Sequence, residues 1–171
     1  MTLSLEEARL TKQDNTAHAK IVAVCISEKR GTKKYRITKG ILEKNTGLSG
    51  DAHVGKNSLR QVSILAEESI KKMEEKGLTT VPGIFAENIV TSGIDLLSLR
   101  LGTRVSVGKT AILEITQIGK KCHTGCEIYK QIGDCIMPRE GVFARVIKGG
   151  TVQEGDTIMP LEGAKQSKGN Q

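Results

Sequence analysis

At 171 residues, with 37% hydrophobic and 26% charged side chains, the chain is long enough for one domain with a buried core and too apolar for a disordered segment. Two Tyr, two Phe and no Trp leave Val, Ile and Leu to build that core, and they nearly exclude the stacking platforms that hold single-stranded nucleic acid. The net charge of +7 fits a solvated basic surface or an anionic partner; a phosphate-bearing small molecule suits the balance, and nucleic acid is not expected.

Residues 1–19 are polar and of mixed charge and read as a flexible tail, with His18 in solvent. The first residues lack the basic and apolar regions of a secretion signal, and no apolar run reaches membrane length. The expectation is a cytoplasmic protein, away from membranes, whose four cysteines are reduced thiols. The domain proper is expected over residues 20–162, with 163–171 a disordered tail.

Residues 20–27 form a β-branched strand in which Cys25 is a small core residue. A charged turn around Gly31 leads to a second strand over 35–42, with Gly40 a candidate bulge. The glycine-rich stretch that follows carries Asp51, His53 and Arg60. Loops of this size are solvated or form the mouth of a pocket, where glycine turns offer N–H groups to an anion. A strand over 61–65 starts at Gln61. A helix over 66–76 comes next, with Ser63 as candidate N-cap, Gly77 as its stop, and Ala66, Ile70 and Met73 on one face. A short strand over 85–90 and a helical turn over 94–99 precede a hairpin, 104–107 with 111–118, around Gly108 and Lys109. Strands over 142–147 and 157–159 close the domain. Many short strands and nineteen glycines with one substantial helix predict a mainly β fold, a closed or nearly closed β-barrel with a few helices.

Between the hairpin and the last strands lie Cys122, His123 and Cys126, spaced C-H-x-x-C, and then Cys135 in a Gly-Asp-Cys turn. Three readings stand. Cys122, Cys126 and Cys135, with His123 or the distant His53, offer zinc ligands, although C-x3-C-x8-C is not a standard knuckle. Alternatively one cysteine is a reactive thiolate: Lys120, Lys121, Arg139 and Arg145 are near in sequence, and cations raise the thiolate fraction. Such a thiolate carries a persulfide, attacks as a nucleophile or ligates a soft metal. In the third reading the thiols are small apolar fillers, which suits Cys126, close to Ile128 and Tyr129, better than Cys135.

A resemblance accompanies these readings. Gly47-Leu-Ser-Gly-Asp-Ala-His53, Arg60-Gln-Val-Ser-Ile-Leu65, Glu87-Asn-Ile89 and Leu101-Gly102 resemble the successive motifs of MOSC domains, found at the C-terminus of molybdenum-cofactor sulfurases. Gly133-Asp-Cys135, Gly141-Val-Phe-Ala-Arg-Val146 and Gly155-Asp156 match the family's last third. The resemblance covers roughly residues 20–162 and looks like that of a stand-alone bacterial-type member, without the desulfurase domain of the fused proteins. It implies a pyruvate-kinase-like β-barrel and the molybdenum cofactor (molybdopterin) or its precursor as ligand. The family cysteine maps onto Cys135, as molybdenum ligand or persulfide carrier. His53, Arg60, Gln61, Arg139 and Arg145 would then surround the pterin and its phosphate. A carrier implies a PLP-dependent cysteine desulfurase, or another cofactor-synthesis enzyme, as partner. A molybdoenzyme reducing N-hydroxylated compounds, with its electron donor in trans, is the alternative, and a zinc-stabilised, non-catalytic binding module is the other.

Overall fold

The computed structural model describes residues 19–56, 58–122 and 126–162. The expected tails, apart from Ala19, lie outside the described residues, as do His18 and His123. With aromatics scarce, aliphatic runs set the sheet. The first strands are β1 (Lys20–Ile26), β2 (Tyr35–Ile37), β3 (Lys39–Glu43) and β4 (Gly47–Leu48), followed by β5 (Val62–Ala66) and β6 (Ile89–Ser92). The hairpin of β7 (Arg104–Val107) and β8 (Ala111–Ile118) forms as the sequence predicts. The last strands are β9 (Val142–Lys148), β10 (Gly150–Gln153) and β11 (Ile158–Pro160). Helices α1 (Glu67–Glu74), α2 (Glu127–Ile132) and α3 (Met137–Glu140) and a single 3-10 turn (Leu96–Ser98) complete the described elements.

The larger sheet has the order β11-β7-β8-β9-β5-β6-β1-β2, and the smaller β10-β3-β4. All neighbours pair antiparallel except β5 and β6, which run parallel because the chain crosses between them through α1. The strand expected over 35–42 breaks at Thr38. Ile37 pairs with Val24 in the large sheet, whereas Lys39 pairs with Gln153 in the small one, so the chain changes sheets there. Gly40 is not a bulge. A Cβ on it would lie 2.7 Å from Leu48 Cδ1 and 3.2 Å from Val24 Cγ1, so it lets the two sheets approach.

Burial on both faces follows from the strand alternation. One face of the large sheet, with Ile21, Val24, Ile64, Leu113 and Val146, packs on Leu42 and Leu48 of the small sheet. The opposite face, with Ala23, Cys25, Leu65 and Phe143, packs under Ile70 and Met73 of α1, Ile128 of α2 and Met137 of α3. Cys135 belongs to this second cluster, so the fold sets its thiol in the layer between sheet and helices.

Helix α1 begins without the expected Ser63 cap. Ser63 sits inside β5, its hydroxyl donating to the Ala86 carbonyl (3.2 Å), and the N-cap Ala66 has no side chain to offer. Glu67 and Glu68 in the first turn complement the helix dipole instead. Gly77, at φ +94°, ends the helix as expected, with the Leu78 N–H returning to the Met73 carbonyl (3.2 Å).

The fold is mainly β with a few helices, but strand pairing does not close the large sheet into a barrel. What joins β1 to the far edge is one bridge, Lys20 with Thr157, and the turn before β11. Ile21 N–H donates to the Asp156 carbonyl (2.8 Å), Gly155 N–H to Ile21 (2.8 Å) and Ile158 N–H to Ala19 (3.3 Å). Gly155 at φ +85° bends the chain where a closing strand would have to continue. Among the described residues no helix is long and apolar enough to cross a membrane.

Candidate functional site

The loop between β1 and β2 and the loop after β4 meet at a buried ion pair that the sequence did not disclose. Lys34 is buried, and its Nζ donates to Asp51 Oδ1 (2.5 Å), His53 Nδ1 (3.0 Å) and Ser27 Oγ (3.3 Å). Asp51 accepts two further bonds, from the N–H groups of Ser27 (2.9 Å) and His53 (3.1 Å). Burial acts to raise the Asp51 carboxyl, but the Lys34 ammonium and these N–H donors outweigh it and hold it below the usual range. Burial and the Lys34 charge together push the imidazole of His53 down, so it is neutral at neutral pH.

His53 and Lys34 line a polar cleft of about 250 Å³ with Arg30, Arg60, Ser63 and Lys120. Arg60 lies over the Phe143 ring, 5.9 Å from its centroid. Arg30, Arg60 and Lys120 form no ion pair with a carboxylate among the described residues, whereas Arg36, Arg104, Arg139 and Arg145 all do. Three cations without a carboxylate partner thus meet at this cleft, beside the paired Lys34.

A second, more apolar cleft of about 620 Å³ adjoins the first, and Ala86, Lys120 and Met137 line both. Cys122, Cys126 and Cys135 line the second cleft, Cys135 buried and the other two exposed. The wall at Ala86 is a strained turn. Ala86 has φ +64°, and the buried Glu87 carboxylate holds the turn by accepting the N–H groups of Gly83 (2.5 Å) and Phe85 (3.0 Å). Desolvation pushes Glu87 up to about 7 despite those bonds.

The opposite wall is built where β8 ends. Gly119 N–H donates to the Gly141 carbonyl (2.6 Å) and Lys120 N–H to Pro138 (3.2 Å), which ties the start of the Cys122 segment to α3. Gly119 has φ +72°, and a Cβ there would overlap the Pro138 carbonyl oxygen. Cys135 N–H donates to its neighbour Asp134 Oδ1 (2.8 Å). That carboxylate is gripped by Arg139 through both oxygens (2.6 and 3.0 Å) and by Lys76.

The predicted site residues therefore separate. His53 and Arg60 meet in the cationic cleft, and the three cysteines share the adjoining one. Arg139 is engaged with Asp134, and it acts on the backbone position of Cys135. Arg145 pairs with Glu114 across the sheet (3.0 Å), and Gln61 is buried with its Oε1 accepting the Val146 N–H (2.9 Å). None of these last three lines either cleft. Burial raises the Cys135 thiol, with Cys122 and Cys126 adding to the rise and the Met137 N–H and Lys120 opposing it. The low thiol pKa expected from sequence-near cations does not result, because Arg139 and Arg145 spend their charge on carboxylates. Among the described residues no three His, Cys, Asp or Glu side chains are grouped to hold a metal ion, and His123 of the zinc reading lies outside them. Sequence reasoning missed Lys34, Arg30 and Ala86: one lysine among 26 basic residues carries no local mark of burial.

Fold and site together define a mainly β domain with a cleft that is cationic at one end and thiol-lined at the other. Residues 49–159, more than half of the chain, match the MOSC domain, and the chain belongs to that family. The family is associated with the molybdenum cofactor. The structure is similar to that of the YuaD protein from Bacillus subtilis, with a TM-score of 0.68 and 22% identity, covering 82% of this chain and 93% of that one. It is also similar to YiiM from Geobacillus stearothermophilus (0.63, 17%, covering 84% and 75%) and YiiM from Escherichia coli (0.59, 17%, covering 84% and 70%). At these identities the likeness is one of fold. No curated protein matches the chain in sequence.

Proposed function

We propose that the two-ended cleft binds the molybdenum cofactor or its precursor, with the pterin phosphate at Arg30, Arg60 and Lys120 and the metal at Cys135. The observation that carries this reading is the junction at Ala86, Lys120 and Met137, which puts cations without carboxylate partners next to a buried thiol. When bound, the cofactor supplies a redox-active metal that takes a thiolate ligand. The chain's own residues do the rest. Arg60, braced on Phe143, offers a planar fork of donors to phosphate oxygens. Lys120 faces both ends of the cleft. The Asp134 cluster accepts the Cys135 N–H, and the second core packs around its side chain while leaving it on the cleft wall.

The raised thiol favours a metal ligand over a free persulfide carrier. A protonated, buried thiol is a poor nucleophile, whereas coordination removes the proton outright. The test is native mass spectrometry with elemental analysis on protein purified anaerobically from a host that makes the cofactor. The reading expects about one molybdenum per chain, abolished by Cys135→Ala and reduced by Arg60→Glu. An added sulfur atom on Cys135 without metal would move the site to sulfur transfer, with a PLP-dependent cysteine desulfurase as the loading partner. Zinc alone would move the cysteines to a structural role. If molybdenum is found, a reductase assay on an N-hydroxylated compound asks whether the bound form is itself an enzyme.

A further inference from the structure

We infer that buried Lys34 is a positioning residue: its ammonium locks His53 as the neutral, Nε2-protonated tautomer and presents that N–H to the cationic cleft as a directional donor to an oxyanion. The inference rests on the cleft reading above for its ligand class, and on hydrogen-bond arithmetic for the rest.

An ammonium has three donors and no acceptor. Lys34 has three acceptors in reach, Asp51 Oδ1 at 2.5 Å, His53 Nδ1 at 3.0 Å and Ser27 Oγ at 3.3 Å, and its side chain is 1% exposed. Nδ1 also lies 3.4 Å from Asp51 Oδ2, so an Nδ1–H donating to that carboxylate is the competing arrangement. It would aim a proton-bearing nitrogen at an ammonium 3.0 Å away. The nearer contact decides: Nδ1 accepts from Lys34, and the proton resides on Nε2. The imidazole is 38% exposed and lines the cleft with Nδ1 turned inward to Lys34, which leaves the Nε2 edge facing outward.

The groups around His53 are Lys34 and Asp51, in contact with it, and Arg30, Arg60 and Lys120, which line the same cleft. Burial, Lys34 and Arg30 oppose a positive charge on the ring and Asp51 favours one, and the balance falls to the neutral form. The cleft therefore receives charge from Arg30, Arg60 and Lys120 and direction from an uncharged His53. Anion binding through this histidine does not depend on protonating it, which is the opposite of a histidine acting as a pH switch.

The experiment is two-bond ¹H–¹⁵N NMR of the whole chain labelled at histidine, with His53→Gln identifying the His53 signals among the three histidines. The inference expects the Nε2–H pattern and a titration midpoint below that of a free histidine. An Nδ1–H pattern, or a midpoint at or above the free value, overturns it. In Lys34→Met/Asp51→Asn, which removes the buried charge pair together, both tautomers should appear. An unchanged tautomer would also overturn the inference. Should that variant fail to fold, the wild-type spectrum decides alone. Titration with inorganic phosphate separates the underlying reading from the inference. Phosphate should move the Nε2 resonance; an Nε2–H histidine untouched by phosphate would overturn the anion cleft and the donor role of His53, and leave only the tautomer lock by Lys34 standing.

Discussion

A buried lysine beside a buried aspartate is costly to form and costlier to break. The Lys34–Asp51 pair spans two loops outside the strands and helices, and each partner's side chain is 1% exposed. Removing one partner leaves a charge without water or counterion, a loss of roughly 3–5 kcal/mol. Lys34→Ala should therefore lower stability in urea unfolding by about that amount. Lys34→Ala/Asp51→Ala should cost less than the sum of its single changes. Glu87 supplies a second residue-scale expectation, of opposite sign to that of an ordinary paired carboxylate. Its pKa is raised from 4.5 to about 7 by burial, so between those values the folded state holds a proton that the unfolded state has released. Stability contributed by Glu87 falls as pH rises through that window, by at most about 3 kcal/mol. Asp51 and His53, both lowered, act in the other direction below their ordinary values. The difference between wild type and Glu87→Gln isolates the effect: the wild type should lose ground relative to the variant from pH 5 to pH 8 in denaturant titrations.

At the scale of elements, much of the sheet was legible and much of the site was not. The β7–β8 hairpin was readable because its turn is local: Gly108 at φ +61° and two alternating strands suffice. The break at Thr38 was not, because Ile37 and Lys39 take their partners from residues 24 and 153, which no local pattern reveals. β10 escaped notice with a single buried apolar residue, Val152. Residues 85–88 read as strand, but Glu87 turns them back on Gly83, and β6 starts only at Ile89. The cysteines and His53 were legible as residue types. Where the cations point was not: Arg139 is four residues from Cys135, yet it serves Asp134, while Arg30 arrives from another loop. The contact of Gly119 with α3 is the element-scale device on which the thiol wall depends. Gly119→Ala should push the segment that starts there away from Pro138, costing roughly 1–3 kcal/mol for the strained turn. Cys135 should then react faster with a thiol-specific disulfide reagent than it does in the wild type, where it is 7% exposed.

Across the whole molecule, one sheet serves two cores, and each has a different duty. The hydrophobic cluster on the face toward the small sheet is wholly aliphatic and contributes much of the burial that stabilises the domain. The face toward the helices packs Cys135, Met137 and Phe143 against the same strands and forms the floor of the cleft. Substitutions in the first should act on folding alone, and those in the second on folding and ligand together.

The seam between β1 and the turn before β11 has a consequence for how such a domain can be carried. Ala19 accepts a bond from Ile158, so the first strand starts beside the start of the last, and β11 continues for only a few residues more. A linker of about four to six residues is enough to bridge that gap, at about 3.3 Å per residue. A circular permutant joined there and reopened between Gly108 and Lys109 should keep its sheet order and fold, as judged by circular dichroism and cooperative melting. The same adjacency makes the domain a cassette: it can be spliced into a loop of another protein while holding the host's two ends together, with its cleft unchanged.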